Sequence, residues 1–347
     1  MKRPLTIKPL GFTLIELLIA MTLGLFLMTG VISAFLSAKQ SYAQQDALGQ
    51  MQENARFALE MLARETRMAG FGGCSGDISV ANTLDSGYTG SASLFSDGLT
   101  GYLGDATNST FPTSFKASSA VGTDAIIIHA VDSENSLVVD DSHNPSSANI
   151  PFTTSTSTLQ TGDIVLLVDA NCSNMAIYAN TGPTNNSNNA QKSVHNTGNI
   201  STETYKNCVG ALKGNFTCSD TSGALELAYT AGSSVYKIES FAYFIGAPTA
   251  NSTSGIPSLY RKDVSGTSTA NAAAAEEVVE GVTDLEIFYG LKSGNNVQYL
   301  KANGVTADNW KNIQSVRYKV TVQSLTSVSG SPVSKTFTTT VKLRNRG

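Results

Sequence analysis

The chain has 347 residues, 41% of them hydrophobic, which is enough for a real core in one large domain or two ordinary ones. Only 14% are charged, well below the roughly 25% of an average soluble protein, and Ser, Thr, Asn and Gly take their place. The formal charge is −4, and no basic patch or aromatic-interleaved Lys/Arg run occurs, which argues against nucleic acid as a partner.

Residues 1–11 read MKRPLTIKPLG, short, basic and ended by glycine. Then comes FTLIELLIAMTLGLFLMTGVISAFL, from Phe12 to Leu36, with Glu16 as its one charge. At 1.5 Å per residue this run is about 37 Å long as a helix, enough to cross a hydrocarbon core of about 30 Å. Lys2, Arg3 and Lys8 precede it and hold the N-terminus on the cytoplasmic side. A cleaved secretory signal has a shorter apolar region, about 7–15 residues, and a small-x-small cleavage site; neither fits here. A plain uncleaved anchor is the stronger ordinary reading, and Glu16 argues against it. A carboxylate inside such a run costs on the order of 2.5–3.5 kcal/mol on insertion scales, so it points to a function and a partner.

The helical pattern continues past the apolar run. Between Lys39 and Met68, the residues Leu48, Met51, Ala55, Ala58 or Leu59, and Leu62 recur at steps of three and four. That spacing predicts one apolar stripe on an amphipathic helix. Glu53 with Arg56, Arg56 with Glu60, and Glu60 with Arg64 are spaced for same-face ion pairs that solvate the outer side. Gly70, Gly72 and Gly73 end the helix, giving it about 58 residues and a length of roughly 87 Å. Ala20, Gly24, Gly30, Ala34 and Ser37 put small residues at helical spacing in the apolar half. They suit close approach of helices in an apolar medium, or reflect the ordinary tolerance of membrane helices for glycine.

After Gly73 the texture changes to β-branched runs between polar loops. Strand candidates are Asp124–Val131, Asp163–Ala170, Met175–Ala179, Leu225–Tyr229, Val235–Ile245, Glu276–Tyr289, Ile313–Leu325 and Thr336–Leu343. With no helical pattern between them, they predict an antiparallel sheet. The fold class is therefore α+β: a long N-terminal transmembrane and amphipathic helix packed on a β-rich antiparallel globular head. The divisions are 1–11, 12–36, 37–70 and 71–347. Polar loops are expected at 142–160, 180–207, 247–256 and 264–275.

Four cysteines allow three pairings. Cys208 with Cys218 closes a short loop, and Cys74 with Cys172 ties the helix end to a strand; this combination is favoured over free thiols, which suit the cytoplasm better. Of the three histidines, His129 sits on a strand as a core residue. His143 and His195 lie in Asn/Ser-rich loops with no acid or cysteine at ligand spacing. Asp140-Asp141 reads as a solvated turn, and Asp284 with Glu286 is weak evidence for catalysis. No G-x-S-x-G, H-E-x-x-H or P-loop occurs, so no catalytic residue, metal site or cofactor is assigned.

The run Gly11-Phe12-Thr13-Leu14-Ile15-Glu16 resembles the class III signal of type IV pilins and type II secretion pseudopilins. In that family a prepilin peptidase cuts after the glycine and methylates the new N-terminal residue. The resemblance implies a cut between Gly11 and Phe12, N-methylation of Phe12, and an assembly role for Glu16 against a neighbouring subunit's N-terminal amine. Removing residues 1–11 leaves 20 basic against 27 acidic side chains, a formal charge of −7.

The run Met51–Leu59, then Arg67–Phe71 with Gly73-Cys74, is similar to the PilW family of minor pilins. So are Val279–Leu285 with Tyr289-Gly290, and the ending Val341–Arg346. The implied partners are other minor pilins and the major pilin through the N-terminal helix, the prepilin peptidase, an inner-membrane assembly platform and a tip adhesin. The implied location is the bacterial inner membrane and then the pilus tip. The J-type pseudopilin of type II secretion shares this layout and stays open, as do a major pilin and a signal-anchored adhesive or enzymatic protein. Intact-mass analysis of filament-associated protein is expected to show a chain that starts at Phe12 and carries one added methyl; recovery of the uncut precursor from sheared filaments would overturn the cleavage expectation.

Overall fold

The computed structural model describes residues 13–74, 78–88, 90–141, 143–144, 147–153, 159–182, 192–200, 205–248, 255–266, 274–294, 296–327 and 331–344. Gly11, Phe12, Asn345 and Arg346 lie outside the described residues. The chain divides into two compact units, Met1–Gln50 with Ser324–Val333, and Met51–Gln323 with Ser334–Gly347.

One helix, α1, runs from Leu14 to Met68. Its first stretch, from Leu14 to Leu36, is apolar and turned outward: Leu14, Leu25, Phe26 and Phe35 are exposed, and an 18-residue window reaches a mean hydropathy of 2.2. Thr22 and Thr29 donate their hydroxyls to the carbonyls of Ile19 (2.9 Å) and Leu25 (2.8 Å), so both hydroxyls are satisfied within the helix itself. A Cβ built on Gly24 or Gly30 would meet nothing within 4 Å.

The second unit holds the rest of α1 and the strands. These are β1 Ser79–Asn82, β2 Leu99–Tyr102, β3 Ala125–Val131, β4 Leu137–Val138, β5 Asn149–Pro151, β6 Ile164–Val168, β7 Asn174–Ala179, β8 Lys192–Val194, β9 Ser234–Gly246, β10 Ser258–Asp263, β11 Glu276–Glu280, β12 Val282–Ser293, β13 Asn296–Leu300, β14 Ile313–Gln323 and β15 Ser334–Lys342.

Among the described residues, nine strands form one sheet around β9. The first residues of β9 hold β4 and β6, and the rest hold β3 and β10. All these pairs are antiparallel; β1 against β7 is parallel. The run Ile164-Val165-Leu166-Leu167-Val168 shows why such strands form. Ile164, Leu166 and Val168 enter one core cluster, while Val165 and Leu167 enter another on the opposite face. A third cluster stacks Phe115 and Tyr260 on Phe244.

The second sheet has the order β13-β12-β14-β15. Leu285, Ile287 and Tyr289 of β12 and Val316, Tyr318, Val320 and Val322 of β14 are buried, while Glu286, Arg317 and Lys319 alternate with them on the other face. The expected single strand Glu276–Tyr289 is in fact two strands. Gly281, at φ 84°, separates β11, which pairs β10 in the first sheet, from β12 in the second. Asp124 ties the two sheets together from β3's start. Its carboxylate accepts from Gly104 N (3.0 Å), Ile287 N (2.8 Å) and Lys301 Nζ (2.7 Å), and its own N–H donates to the Leu285 carbonyl (2.9 Å).

Two further expectations are corrected. Leu225–Tyr229 is not a strand: Leu225 makes a lone bridge to Lys213, and no strand pairs the rest. The expected loops 142–160 and 180–207 contain β5 and β8, which pair with each other. Two disulfides join Cys74 to Cys172 and Cys208 to Cys218. In the chain-entropy account the first, closing about a hundred residues, is worth about 4–5 kcal/mol, and the second about 3 kcal/mol.

The fold has an acid weakness. His129 is buried, with Nδ1 2.9 Å from Ser240 Oγ, and burial pushes its pKa down to about 3. Burial, then the neighbouring His143, pushes His195 down to about 4. Both lie below the ordinary 6.5, so the folded state prefers the neutral rings. Their contribution is whole above pH 6.5 and is lost as pH falls toward the folded values. At pH 5 each ring costs about 2 kcal/mol relative to pH 7.5. Denaturant melts are expected to lose about 4 kcal/mol from this pair, and a His129→Asn, His195→Asn variant should lose much less between the two pH values.

Candidate assembly site

The start of α1 is a reciprocal cap. Thr13 O accepts the first helical bond, from Leu17 N at 3.2 Å. Thr13 Oγ1 accepts from Glu16 N (3.3 Å), while a Glu16 carboxylate oxygen accepts from Thr13 N (3.0 Å) and from the Thr13 hydroxyl (2.9 Å). A threonine followed three residues later by glutamate is the pattern that satisfies the otherwise orphaned N–H groups of a helix start. Glu16 is thus held at the head of an apolar, exposed helical surface, and its carboxylate carries two polar contacts local to its own helix.

The other half of α1, from Met51, is bound to the head through side chains at helical spacing. Met51, Ala55, Ala58, Leu62 and Ala69 are buried, which settles the stripe on Ala58 in place of Leu59. Small residues there let the helix lie close to the second sheet. Thr66 bonds the Leu62 carbonyl and the hydroxyl of Tyr318, both at 2.6 Å, Asn54 donates to the Glu280 carbonyl (3.0 Å), and Arg344 N donates to the Arg67 carbonyl (3.0 Å). On the outer side Arg56 pairs with Glu60 at 2.8 Å, whereas Arg64 turns to Glu65 at 3.6 Å and not to Glu60. Such exposed pairs add little stability.

The helix stops where the glycines predict. Gly70 sits at φ 65°, donates to the His129 carbonyl at 2.8 Å, and approaches Gly98 so closely that an added Cβ would come within 2.9 Å of its Cα. Four residues on, Cys74 is bonded to Cys172, just past β6.

The other residues singled out in the sequence divide into structural and unexplained. Glu286 faces Lys301 (3.5 Å) and Lys319 (3.9 Å), and burial followed by the nearby Glu286 raises the pKa of Asp284; the pair belongs to an ion network on the outer face of the second sheet. Among the described residues no group of three His, Cys, Asp or Glu could hold a metal ion. His143 and His195 are unexpected neighbours. They line one pocket with Glu226 and Tyr229, an arrangement that no sequence spacing announces, because its members come from three separate loops.

Comparison with known families identifies both ends of this layout. Residues 8–32, which contain the Gly11/Phe12 junction and Glu16, match the Prokaryotic N-terminal methylation motif. Residues 242–338, from the second half of β9 into β15, match the Type IV Pilus-assembly protein W family. No curated protein matches the chain. The similar runs Met51–Leu59 and Val341–Arg346 fall outside the matched segments. The methylation motif with its apolar helix anchors the chain in a membrane in a pilus system, and the second match covers the sheet on which the helix packs. Together the two matches support a type IV pilin-like protein of the PilW family.

Proposed function

We propose that this protein is a minor pilin that enters a tip complex priming pilus assembly, after a cut between Gly11 and Phe12 and N-methylation of Phe12. The observation that carries the reading is the fully exposed apolar half of α1 with Glu16 at its start. A surface of that kind is stable only in lipid or among like helices. Gly24 and Gly30 support packing among helices: nothing inside the subunit requires glycine there, and each lowers helix stability by about 1 kcal/mol relative to alanine. Small residues permit close helix contact in an apolar medium. Glu16 then serves as counter-charge to the N-terminal amine of the next subunit, since a carboxylate beside an ammonium neutralises both in an apolar core.

The head supports a terminal position. Running from residue 71 to 347, it would crowd its neighbours if repeated along a thin shaft. Before assembly the chain is stored in the inner membrane, cytoplasmic end inward. Other minor pilins, the major pilin, the prepilin peptidase, the assembly platform and a tip adhesin are its partners.

Glu16→Val is expected to insert into the membrane at least as well as the parent, because the change removes a charge from an apolar run. Its incorporation into filaments should fall by at least an order of magnitude, as the neighbour's amine loses its partner. Normal incorporation of Glu16→Val, measured by mass spectrometry of sheared filaments, would remove the counter-charge role.

Deleting the gene should greatly reduce surface pili while the major pilin is still made and processed, and low-level restoration should bring pili back. Quantitative mass spectrometry should find a few copies per filament, at one end. Equimolar incorporation with the shaft subunit would make the protein a major pilin, and loss of secretion with intact pili would make it a pseudopilin.

A further inference from the structure

A pocket of about 180 Å³ in the head is lined by His143, His195, Leu212, Glu226, Leu227 and Tyr229, among others. It gathers two imidazoles and a carboxylate, and beside them the Ser147 hydroxyl accepts from Asn149 N at 3.1 Å and from Asn149 Nδ2 at 3.2 Å. His143 Nδ1 lies 3.0 Å from the Asn149 carbonyl oxygen, which only accepts, so Nδ1 carries the ring proton and Nε2 the lone pair. His195 is 6% exposed, and its Nδ1 has no hydrogen-bond partner in the protein. A buried ring nitrogen without a partner is a polar group left unsatisfied in the pocket lining.

Tyr229 uses its hydroxyl proton on the Leu212 carbonyl at 2.9 Å. Glu226 is exposed at the rim and adds a carboxylate, while Leu212, Leu227 and the Tyr229 ring supply apolar wall. The cation against Tyr229, Lys213 (4.8 Å from the ring centroid), is bonded to Asp169 at 3.2 Å, so its charge is matched there.

The His143 Nε2 lone pair, the unsatisfied His195 ring, a carboxylate and an aliphatic wall in a space this small describe a partner that donates hydrogen bonds, carries positive charge and has an apolar stem. A buried acceptor left without a donor is costly, and apolar walls with a few converging polar groups are what small-ligand sites are made of. We propose that this pocket binds an alkylammonium group, a protonated primary amine on a short carbon chain. The group is presented by a lysine side chain of a partner protein or by a free amine. The proposal is independent of the pilus reading, which rests on α1.

The three histidines make the test internal, since His129 lies elsewhere in the core. The full chain in detergent micelles, labelled with 15N-histidine, is titrated with n-butylamine at pH 7.5 and, separately, with n-butanol as the neutral isostere. Butylamine is expected to shift the His143 and His195 resonances saturably and leave His129 unmoved, while butanol leaves all three in place. Glu226→Gln should weaken the response about tenfold, and His195→Phe should abolish it; Glu226 is exposed, so its variant keeps the test valid if the histidine variant fails to fold. Tighter binding of Nα-acetyl-lysine methylamide than of butylamine assigns the site to a partner's side chain, and the reverse order assigns it to a free amine. Equal responses to butylamine and butanol would overturn the proposal. So would an absence of saturable shifts, or a response to Zn²⁺ with none to amines.

Discussion

One constraint shapes this molecule: the first part of α1 presents apolar side chains on every side and cannot rest in water. Leu14 through Leu36 include more than a dozen large hydrophobic residues that are over half exposed in the subunit. At roughly 25 cal/mol per Å² of apolar surface, such a helix is driven strongly out of solvent. The local chemistry conforms to that. Thr22 and Thr29 bond their own helix, Glu16 is satisfied at the helix start, and the glycines leave flat ground where the subunit itself has nothing to pack. The head obeys the opposite rule, with apolar residues turned inward and polar loops outward.

The two sheets of the head depend on a small number of junction residues. Gly281 lets one continuous β-rich run leave the first sheet and enter the second, because φ 84° is open to glycine and strained for a side chain. Asp124 spans the same gap with a buried carboxylate that holds two backbone N–H groups and the ammonium of Lys301. A buried charge is tolerable when its lone pairs are matched in this way, and breaking such a group is costly. The Cys74–Cys172 bond adds a third tie, from the end of α1 to the loop after β6.

How much of this was legible in the sequence follows from how local each signal is. Helix α1 is readable end to end because its period, its charge-poor start and its glycine stop lie within a continuous run. Strands such as Ile164–Val168 and Ile313–Gln323 are readable because β-branched residues dominate them. The candidates omit Ser79–Asn82, Leu99–Tyr102, Ser258–Asp263 and Asn296–Leu300, whose short, polar or glycine-bearing sequences become strands only because longer neighbours pair with them. Leu225–Tyr229 shows the converse, alternation without a partner. Of the candidate site, Glu16 stands out as a lone charge in an apolar run. The pocket of His143, His195 and Glu226 depends on three loops meeting, and proximity of that kind leaves no mark in residue spacing.

The cap at the head of α1 has a further consequence. A carboxylate that already holds the Thr13 amide and hydroxyl does not enter a filament as an empty acceptor. In the proposed assembly, joining a neighbour through Glu16 would be an exchange, in which contacts to its own helix are traded for contacts to another chain. Exchanges between near-equivalent hydrogen bonds have small net free energies, so the commitment of a subunit to the fibre is set by the surrounding apolar surface and the new charge pair. Under that proposal the same balance would run backward: a subunit leaving the fibre would recover a satisfied glutamate at once, without stranding a bare charge.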